Sequence, residues 1–309
     1  MASMRALVTG AAGFLGRATV GRLARDPDTE AVVALDCAEN LPPDGERVRW
    51  IRADVCDPIG GLFRTHRIDT VIHSAYLIRP QRDAERARAV DVEATARLLA
   101  AARAAGVRSI VYPSSTTVYG AWPGTGLHTE DEEPRPLPGF TYSEHKVEAE
   151  RILLDGGADP TVVVLRGCVV VGPGADNFIL SSLRLPILPY PAGADPEMQF
   201  LHVDDYTEAV SLALRAQQPG IYNIAGEGTI RLRDLPRALG TRAVPVPEPL
   251  LRRIIGLTWR LRLQSRSPAS GLPLIHHPWL ASTARIEQQL GWKPSCSSAE
   301  AIRRWAQAE

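Results

Sequence analysis

Residues 6–16 read Ala-Leu-Val-Thr-Gly-Ala-Ala-Gly-Phe-Leu-Gly, a short apolar run that breaks into glycines and then continues with helical spacing. Gly10 can adopt the backbone angles of a tight turn, Gly13 lets the main chain approach a phosphate, and Gly16 lets the helix press against the strand. The helix that begins there presents free N–H groups and a positive dipole end to an anion. The stretch predicts a strand, a phosphate-binding loop and a helix. A strand-to-helix turn without function is the alternative.

The composition is that of an ordinary globular protein with one large domain, or a main domain with a smaller companion. The chain has 309 residues, of which 45% are apolar, enough for a packed core. Thirty-five basic residues balance thirty-five acidic ones, so no global field favours nucleic acid or an anionic membrane as partner. No apolar run approaches the roughly twenty residues of a membrane span, and the first strand begins almost at the N-terminus. We expect a cytoplasmic protein that does not bind membranes.

The cysteine and histidine residues give no sign of a metal site. The four cysteines are widely scattered and lack a CxxC pairing, so reduced thiols are expected. They are Cys37, Cys56, Cys168 and Cys296. The adjacent His276 and His277 should point apart, and no acid or cysteine cluster supports them as ligands.

Apolar runs of strand length alternate with helical segments along most of the chain. The runs cover residues 31–36, 48–52, 70–73, 109–113, 161–166 and 220–224. Such alternation predicts right-handed crossovers and an α/β fold, a Rossmann-like doubly wound parallel sheet. The longest helix is expected over residues 82–105, and its small side chains would suit helix-to-helix contact in a homodimer.

A carboxylate stands where a dinucleotide-binding fold needs one. Asp36 ends the second strand, twenty residues beyond Gly16, where such a fold binds the adenosine ribose hydroxyls. The carboxylate would repel a 2′-phosphate, and the next residue is Cys37 rather than Arg. NAD is therefore favoured over NADP as cofactor. A solvated acid at a strand end is the alternative.

Two further strand ends face the same edge of the predicted sheet. Asp54 and Val55 follow the third strand, and the Asp54 carboxylate could receive the adenine amino group. Ser74 and Ala75 follow the fourth strand, and their small size leaves space for the middle of the cofactor. His73 is expected to be a packed strand-end histidine.

Groups suited to proton transfer follow the fifth strand. Ser114-Ser-Thr-Thr-Val-Tyr-Gly120 places several hydroxyls at its carboxyl end. Tyr142 and Lys146 lie four residues apart at the start of a helix that continues to about Leu154, and hence on one helical face. A neighbouring ammonium stabilises phenolate and lowers the pKa of the phenol from its usual value of about 10. The pair predicts a general acid or base.

The motifs taken together resemble those of the extended short-chain dehydrogenase/reductases, the NAD-dependent epimerase/dehydratase family. Besides the segments above, the resemblance includes Leu165-Arg166, Gly172-Pro-Gly174, His202-Val-Asp-Asp205 and Leu290-Gly-Trp-Lys-Pro294, nearly the whole chain. It implies that Ser115 hydrogen-bonds the reacting oxygen and that Tyr142 exchanges the proton. It also implies that Lys146 holds the nicotinamide ribose. Ser114 would replace Ser115 if the alignment shifted by one residue.

The resemblance and the strand-end pattern together define the expected cofactor site and domains. The expected cofactor-binding residues are Gly10, Ala12, Gly13, Phe14, Leu15, Gly16, Asp36, Asp54, Val55, Ser74, Ala75, Tyr142 and Lys146. We expect residues 1–172, completed by 203–226, to form the dinucleotide-binding domain. Residues 173–202 and 227–309 should form a smaller C-terminal α/β substrate lobe.

Departures from the family pattern bear on the reaction. Thr116-Thr117 replaces the Asp-Glu pair of the sugar-nucleotide dehydratases, which disfavours elimination of water. Val169 and Met198 replace an Asn and an Arg with which the epimerases grip a diphosphate. The segment 181–191 is apolar and proline-rich, with Arg184 its lone cation, which suits a less polar substrate. Asp91 replaces the usual Asn of the long helix.

We therefore expect an NAD-dependent oxidoreductase that interconverts a secondary alcohol and a ketone on a small organic substrate. An epimerase of a sugar nucleotide or related carbohydrate is the alternative, since it would use the same residues and keep its NADH. A dinucleotide-sensing protein without turnover is a further alternative, but such proteins typically lack the tyrosine or the lysine. Residues 249–263 predict a basic amphipathic helix whose apolar face packs on the lobe.

Overall fold

The computed structural model describes residues 3–157 and 159–308. The first half alternates strands and helices because apolar and β-branched runs are separated by helix-forming segments. Its elements are β1 (Met4–Thr9), α1 (Phe14–Arg25), β2 (Thr29–Asp36), β3 (Val48–Arg52), α2 (Gly60–Thr65), β4 (Thr70–His73), α3 (Ala84–Arg88), α4 (Ala94–Ala104), β5 (Ser109–Ser115), β6 (Leu127–His128) and α5 (Thr141–Leu154).

The second half contains strands of two to seven residues and helices of five to fourteen residues. Its elements are β7 (Thr161–Gly167), β8 (Val169–Val171), α6 (Phe178–Leu183), β9 (Ile187–Pro191), β10 (Glu197–Met198), β11 (Phe200–His202), α7 (Val203–Ala216), β12 (Gly220–Ile224), β13 (Ile230–Arg231), α8 (Leu235–Leu239), β14 (Arg242–Val246), α9 (Glu248–Arg260), β15 (Leu280–Ala281), α10 (Ala284–Leu290) and α11 (Ser298–Gln307).

The main sheet of the described chain has seven strands in the order β12-β7-β5-β4-β1-β2-β3, and every neighbouring pair is parallel. From β1 the chain moves outward to β3, returns to β4 on the other side of β1, and then moves outward through β5, β7 and β12. The doubly wound parallel sheet predicted from the sequence is confirmed. Its direction reverses between β1 and β4, and the crevice outside that point is the ligand position in such folds.

Helices cover both faces of the sheet, so its central strands are buried on both sides. Residues Ala6, Leu7 and Val8 of β1 are fully buried. On one face Val20 and Leu23 of α1 pack into the same core as residues of α7. On the other face Leu98 of α4 and Leu153 of α5 fill a second core. Burial of such side chains contributes about 1.5–3 kcal/mol each and fixes the strand ends that form the cleft.

The long helix expected over residues 82–105 is present over residues 84–104 and contains a π-helical turn. It consists of α3, a π-helical turn at Ala89–Glu93 and α4. Asp83 caps its start, because its side chain accepts a hydrogen bond from the Arg86 N–H at 2.9 Å. Asp91 lies inside the π-turn and accepts hydrogen bonds from the Leu77 N–H at 2.9 Å and from His145 at 3.0 Å. The helix is thus widened at the residue that departs from the family pattern.

The second half adds paired short strands beside the main sheet. The pairs are β8 with β11, β9 with β14, β10 with β13, and β6 with β15. They enclose a separate core that includes Phe178, Leu188, Met198 and Trp305. The apolar, proline-rich segment 181–191 forms the end of α6, followed by β9. These elements lie where the substrate lobe was expected, and the division into domains stays a prediction.

One part of the predicted lobe packs on the main sheet instead. Ile286 of α10 and Trp292 are buried in the same core as β1 and α7. The Trp292 Nε1 donates to the Asp205 carbonyl at 3.1 Å, and the Ser295 N–H donates to the Asp205 carboxylate at 2.9 Å. Because Asp205 is used in this way, it does not cap α7. That helix is capped by His202, whose ring accepts the Asp204 N–H at 3.3 Å.

Helix α9 differs from its expected length and orientation. It ends at Arg260, and Arg262 adopts a positive φ of 61° just beyond it. Leu251 is buried against the lobe, but Ile254 is 47% exposed and Leu257 is 57% exposed. The prediction that its apolar face packs on the lobe is therefore only half right. Among the residues that the structure describes, no helix is both long enough and apolar enough to span a bilayer.

Candidate active site

The glycine loop is built by close backbone contacts that exclude side chains. Gly10 has a φ of +63°, and a Cβ there would lie 2.7 Å from the Ala75 backbone. A Cβ on Gly16 would lie 2.1 Å from the Gly10 carbonyl oxygen. Gly13 is the N-cap of α1, and its N–H donates to the Gly10 carbonyl at 3.1 Å. The loop is thus pressed between β1 and β4, and the N-terminus of α1 opens toward the cleft.

The cleft at the carboxyl edge of the sheet encloses about 1200 Å³, part of it open to solvent. Its lining includes every residue expected from the sequence to bind a cofactor: Gly10, Ala12, Gly13, Phe14, Leu15, Gly16, Asp36, Asp54, Val55, Ser74, Ala75, Tyr142 and Lys146. One end lies at the two aspartates and the other at Tyr142 and Lys146. A cleft that extends from these aspartates to Tyr142 and Lys146, with side-chain-free backbone at its centre, fits a dinucleotide.

Asp36 has a structural role that the sequence did not indicate. One oxygen of its carboxylate accepts the Ala12 N–H at 2.9 Å, and the other accepts the Ala38 N–H at 2.9 Å. The carboxylate therefore ties the end of β2 to the glycine loop. Each oxygen retains a lone pair for a ribose hydroxyl, since a carboxylate has about four acceptor sites. This geometry supports the predicted role of Asp36.

Asp54 lies beside a cation at the same end of the cleft. Burial works to raise the pKa of Asp54, but hydrogen bonds from Cys56 and Arg86 outweigh it and lower that pKa. The Cys56 N–H donates to the carboxylate at 2.8 Å, and Arg86 of α3 forms an ion pair with it. Arg86 lines the cleft although sequence reasoning missed it. It is one of many arginines in residues 82–108, and only the turn of α3 brings it to Asp54.

Tyr142 and Lys146 both line the far end of the cleft, and the hydrogen bonds of the Lys146 ammonium go to residues other than Tyr142. The Lys146 Nζ donates to the Pro113 carbonyl at 2.7 Å and to the Tyr112 hydroxyl at 3.3 Å. It also lies 3.7 Å from the centre of the Tyr76 ring. Lys146 is 5% exposed. The ammonium is therefore held by a carbonyl oxygen and two aromatic rings.

The pKa values of this pair follow from their burial. Burial lowers the pKa of Lys146 from its ordinary 10.5 to about 7, although Asp91 and Glu150 act to raise it. Burial raises the pKa of Tyr142 to about 12, and this effect outweighs the hydrogen bond with Ser115, which lowers that pKa. The expected lowering of the Tyr142 pKa by a neighbouring ammonium is wrong for this structure. The reason is that desolvation of the phenol dominates while Lys146 points to Pro113.

The two adjacent serines have different partners. Ser115 is buried, its Oγ accepts from the Thr117 N–H at 3.2 Å and hydroxyl at 3.0 Å, and it hydrogen-bonds with Tyr142. Ser114 instead donates to the carboxylate of Glu150. Arg166 pairs with the same carboxylate at 2.7 Å. This arrangement places Ser115 beside Tyr142 and gives Ser114 a partner on α5, which supports Ser115 as the catalytic serine.

Tyr76 is the aromatic residue that sequence reasoning missed. Its hydroxyl donates to the Tyr142 carbonyl at 2.7 Å, and its ring meets the Tyr142 ring edge-on at 5.3 Å. It therefore bridges the first turn of α5 and Lys146. Its position directly after Ala75, at a strand end already assigned to the cleft, was the available signal.

A second pocket of about 700 Å³, part of it open to solvent, adjoins the cleft at Tyr142. Apolar walls come from Phe14, Ile78, Val169 and Phe178. Its polar groups are Ser114, Ser115, Thr117, Tyr142, Asp176, Asn177 and Tyr206. Among the described residues that line it, none is Lys or Arg. Val169 thus faces the pocket as an apolar group, whereas Met198 is buried in the neighbouring core and does not line it.

The histidines and cysteines form no metal centre in the part of the chain that the structure describes, where no group of three or more suitable ligands occurs. His276 and His277 do not point apart as expected: their rings stack at 4.3 Å, because they follow the 3₁₀ turn Ala269–Ile275 rather than lying in a strand. His73 is packed, as expected, between Thr9 at 2.8 Å and Thr95 at 3.0 Å. Burial lowers its pKa to about 3. All four cysteines are free thiols.

The chain is similar to proteins of one family along nearly its whole length. An uncharacterised protein of Mycobacterium tuberculosis is 30% identical over 313 residues, which cover 96% of this chain and 81% of that protein. The 3-diazoavenalumate denitrifying reductase of a Streptomyces species is 30% identical over 315 residues, which cover 94% of this chain and 96% of the reductase.

Solved structures share the same architecture. MoeE5 in complex with UDP-glucuronic acid and NAD superposes with a TM-score of 0.77 at 26% identity, covering 98% of each chain. The UDP-glucose 4-epimerase of Thermus thermophilus in complex with NAD gives a TM-score of 0.77 at 25% identity, covering 99% of this chain and 98% of the epimerase.

The family assignment agrees with the geometry of the cleft. Residues 6–225, from β1 to the end of the main sheet, match the family model described as "NAD dependent epimerase/dehydratase family". The Rossmann-like parallel sheet agrees with this match. The chain belongs to the NAD-dependent epimerase/dehydratase family, the extended short-chain dehydrogenase/reductases.

Proposed function

We propose that this chain binds NAD and interconverts a secondary alcohol and a ketone on a small, weakly polar organic substrate. Gly10, Gly13 and the N-terminus of α1 would hold the pyrophosphate, and Asp36 would hold the adenosine ribose. Tyr142 and Lys146 would hold the nicotinamide end. The length of the cleft and the exclusion of side chains at the glycine loop support this placement. When bound, NAD supplies the hydride chemistry.

The residues of this chain would bind the reacting oxygen and move its proton. The Ser115 hydroxyl would donate a hydrogen bond to the carbonyl oxygen of the substrate and orient it toward Tyr142. The Tyr142 hydroxyl would give its proton to that oxygen on reduction and take it back on oxidation. Because burial raises the pKa of Tyr142 to about 12, the phenol holds its proton at neutral pH.

The absence of Lys and Arg among the described residues lining the Tyr142 pocket is the observation on which the substrate class depends. Recognition of a diphosphate relies on charge-assisted hydrogen bonds from such cations. Asp176, the acid in the pocket wall, forms ion pairs with Arg79 and Arg184, neither of which lines the pocket. The Streptomyces relative, by its name a reductase, supports a reduction on a small molecule.

A sugar-nucleotide epimerase is the second candidate function. It is favoured by the similarity over the whole chain to MoeE5 in complex with UDP-glucuronic acid and to the Thermus UDP-glucose 4-epimerase. The same Tyr142 would then exchange a proton with a sugar hydroxyl, and NADH would stay bound between two hydride transfers. A diphosphate would need cations from outside the pocket described above.

The test uses Tyr142→Phe with Tyr222→Phe as its matched control. Tyr222 lies on β12 and donates to Gln289, away from the cleft. We expect Tyr142→Phe still to bind NAD and its turnover to fall by at least about a hundredfold, the usual contribution of an acid–base group. Tyr222→Phe should keep its turnover. Turnover of a ketone by Tyr142→Phe at the original rate would contradict the mechanism.

The assay itself separates the two candidate functions. The enzyme with NADH is offered simple ketones and, separately, the enzyme with NAD is offered UDP-glucose and UDP-glucuronic acid. Net consumption of NADH with ketones supports the proposal. Epimerisation of a nucleotide sugar without net consumption of NADH would replace it by the second candidate.

A further inference from the structure

A large apolar cavity lies in the second half of the fold, beside the pocket at Tyr142. It encloses about 1100 Å³, part of it open to solvent, between α6, β9, α9 and the 3₁₀ turn Ala269–Ile275. Leu183, Leu188, Ile255, Leu272 and Ile275 are among the side chains that form its walls. These residues come from four separate segments, so the cavity is a product of the tertiary fold.

The polar side chains in the wall of this cavity are engaged with the backbone. The Ser182 hydroxyl donates to the Phe178 carbonyl at 2.9 Å, and the Thr258 hydroxyl donates to the Ile254 carbonyl at 2.8 Å. The Arg266 Nε donates to the Ser181 carbonyl at 3.3 Å. Among the described residues of the lining there is no Asp, Glu or Lys. An apolar ligand gains about 25 cal/mol for each Å² that it buries in such a wall.

The cavity shares part of its wall with the candidate active site. Phe178 and Ile179 of α6 line both the pocket at Tyr142 and the apolar cavity. The Phe178 ring meets the Tyr142 ring at 5.5 Å between centroids. Asn177 fixes the start of α6 by accepting the N–H groups of Ile179 and Leu180 at 3.0 Å. The side chains of Phe178 and Ile179 therefore lie where the pocket at Tyr142 and the cavity adjoin.

We infer that this cavity is a subsite for the apolar end of the substrate, an extended hydrocarbon group attached to the reacting carbon. The inference rests on the proposed function for the link to Tyr142. It deepens that proposal, because it predicts a hydrophobic ketone or alcohol and not merely a weakly polar one. The protein would select its substrate by the length of the hydrocarbon group.

The experiment measures the binding of methyl ketones of increasing chain length by calorimetry in the presence of NAD. The probes are methyl propyl ketone, methyl pentyl ketone and methyl heptyl ketone. We expect the dissociation constant to fall about fourfold for each added methylene, the equivalent of ~0.8 kcal/mol per buried methylene. A dissociation constant independent of chain length would overturn the inference.

Two variants of α9 form a matched pair for the same measurement. Ile255→Trp adds volume to the wall of the cavity, whereas Leu257→Trp adds it on the 57% exposed side of the same helix. Ile255→Trp should raise the dissociation constant of methyl heptyl ketone at least about tenfold and leave that of methyl propyl ketone unchanged. Leu257→Trp should change neither. Equal effects of the two variants would overturn the inference. If Ile255→Trp does not fold, Thr258→Trp, whose half-buried side chain lines the same cavity, replaces it.

The outcome can be separated from that of the proposed function by using Tyr142→Phe. This variant should bind the ketone series with the same dependence on chain length while it loses turnover. Dependence on chain length without any NADH-linked turnover in the parent protein would support the subsite and contradict the proposed reaction. Turnover of all three ketones with equal affinity and equal rate would support the reaction and overturn the subsite.

Discussion

Lys146 is a buried cation whose protonation is coupled to folding. Its pKa is about 7 in the folded chain and about 10.5 when unfolded. Between these values the unfolded chain binds one more proton, so the free energy of unfolding rises with pH from about 7 to about 10.5. The cost of burying the ammonium is therefore greatest below pH 7 and vanishes above about 10.5.

Replacement of this cation by an isosteric apolar side chain should show the coupling directly. We expect Lys146→Met to be more stable than the parent protein at pH 7 by about 3–5 kcal/mol, with the difference shrinking toward zero near pH 10. Urea denaturation at a series of pH values measures it. The exposed Lys293→Met is the control and should show no such trend. A constant difference across this pH range would contradict the burial of a charged Lys146.

The charge of the Asp36 carboxylate is expected to make the protein prefer NAD over NADP, and a single substitution tests this. Asp36→Asn keeps an acceptor for the Ala12 N–H but removes the charge that would repel a 2′-phosphate. We expect the ratio of NADP to NAD dissociation constants to fall about tenfold or more, equivalent to ~1.4 kcal/mol or more. Fluorescence titration with both reduced cofactors measures the ratio. Asp57→Asn, outside the cleft lining, is the control. An unchanged ratio would show that Asp36 does not select NAD.

The sequence predicted those cleft residues that lie at the end of a strand or at the start of a helix. Gly10, Asp36 and Tyr142 are of this kind, because spacing along the chain determines where they lie in a parallel sheet. Arg86 was missed because its position depends on a contact with Asp54 across the cleft. Tyr76 was missed although it directly follows Ala75 at a strand end assigned to the cleft. The direction of the Tyr142 pKa was also missed, since burial depends on what packs around the ring.

At the scale of elements, α5 is joined to β7 by a buried ion pair behind the catalytic helix face. Arg166 and Glu150 are each 2% exposed and form bonds of 2.7–3.2 Å. Arg166 also donates to the Tyr119 hydroxyl at 3.0 Å. The pair fixes α5, which carries Tyr142, relative to β7. Strand β7 is the neighbour of β5, which ends at Ser115. Removing one partner leaves an uncompensated buried charge.

A double-mutant series tests this ion pair. Arg166→Met should lower the free energy of unfolding by about 3–5 kcal/mol, because Glu150 then lacks its cation. Glu150→Gln in the same chain should recover part of that loss, since it removes the unpaired charge. Urea denaturation of both single variants and the double variant gives the coupling energy. Additive losses would contradict the direct interaction.

At the scale of the whole molecule, the doubly wound parallel sheet followed from the sequence but the cavities did not. Buried parallel strands are recognisable as apolar runs, and the handedness of their crossovers leaves few topologies. The apolar cavity is different, because Ile255 and Leu272 meet α6 only through the packing of segments far apart in sequence. The same reason explains why Trp292, assigned to the lobe by its place in the chain, packs on the main sheet.

Trp292 makes the C-terminal segment part of the main core, so the chain should unfold as one unit. The ring is 1% exposed among residues of β1, α1 and α7, and its N–H is bonded to the Asp205 carbonyl. Trp292→Ala should lower the free energy of unfolding by about 3–5 kcal/mol in a single transition, because it leaves a large cavity in that core.

Trp259→Ala is the control: Arg82 stacks on that ring at 4.1 Å near the surface, and the loss should be about 1 kcal/mol. Denaturation followed by far-ultraviolet circular dichroism and by fluorescence measures both. Two separate transitions in the parent protein, or an unchanged stability of Trp292→Ala, would show that the C-terminal segment folds independently of the sheet.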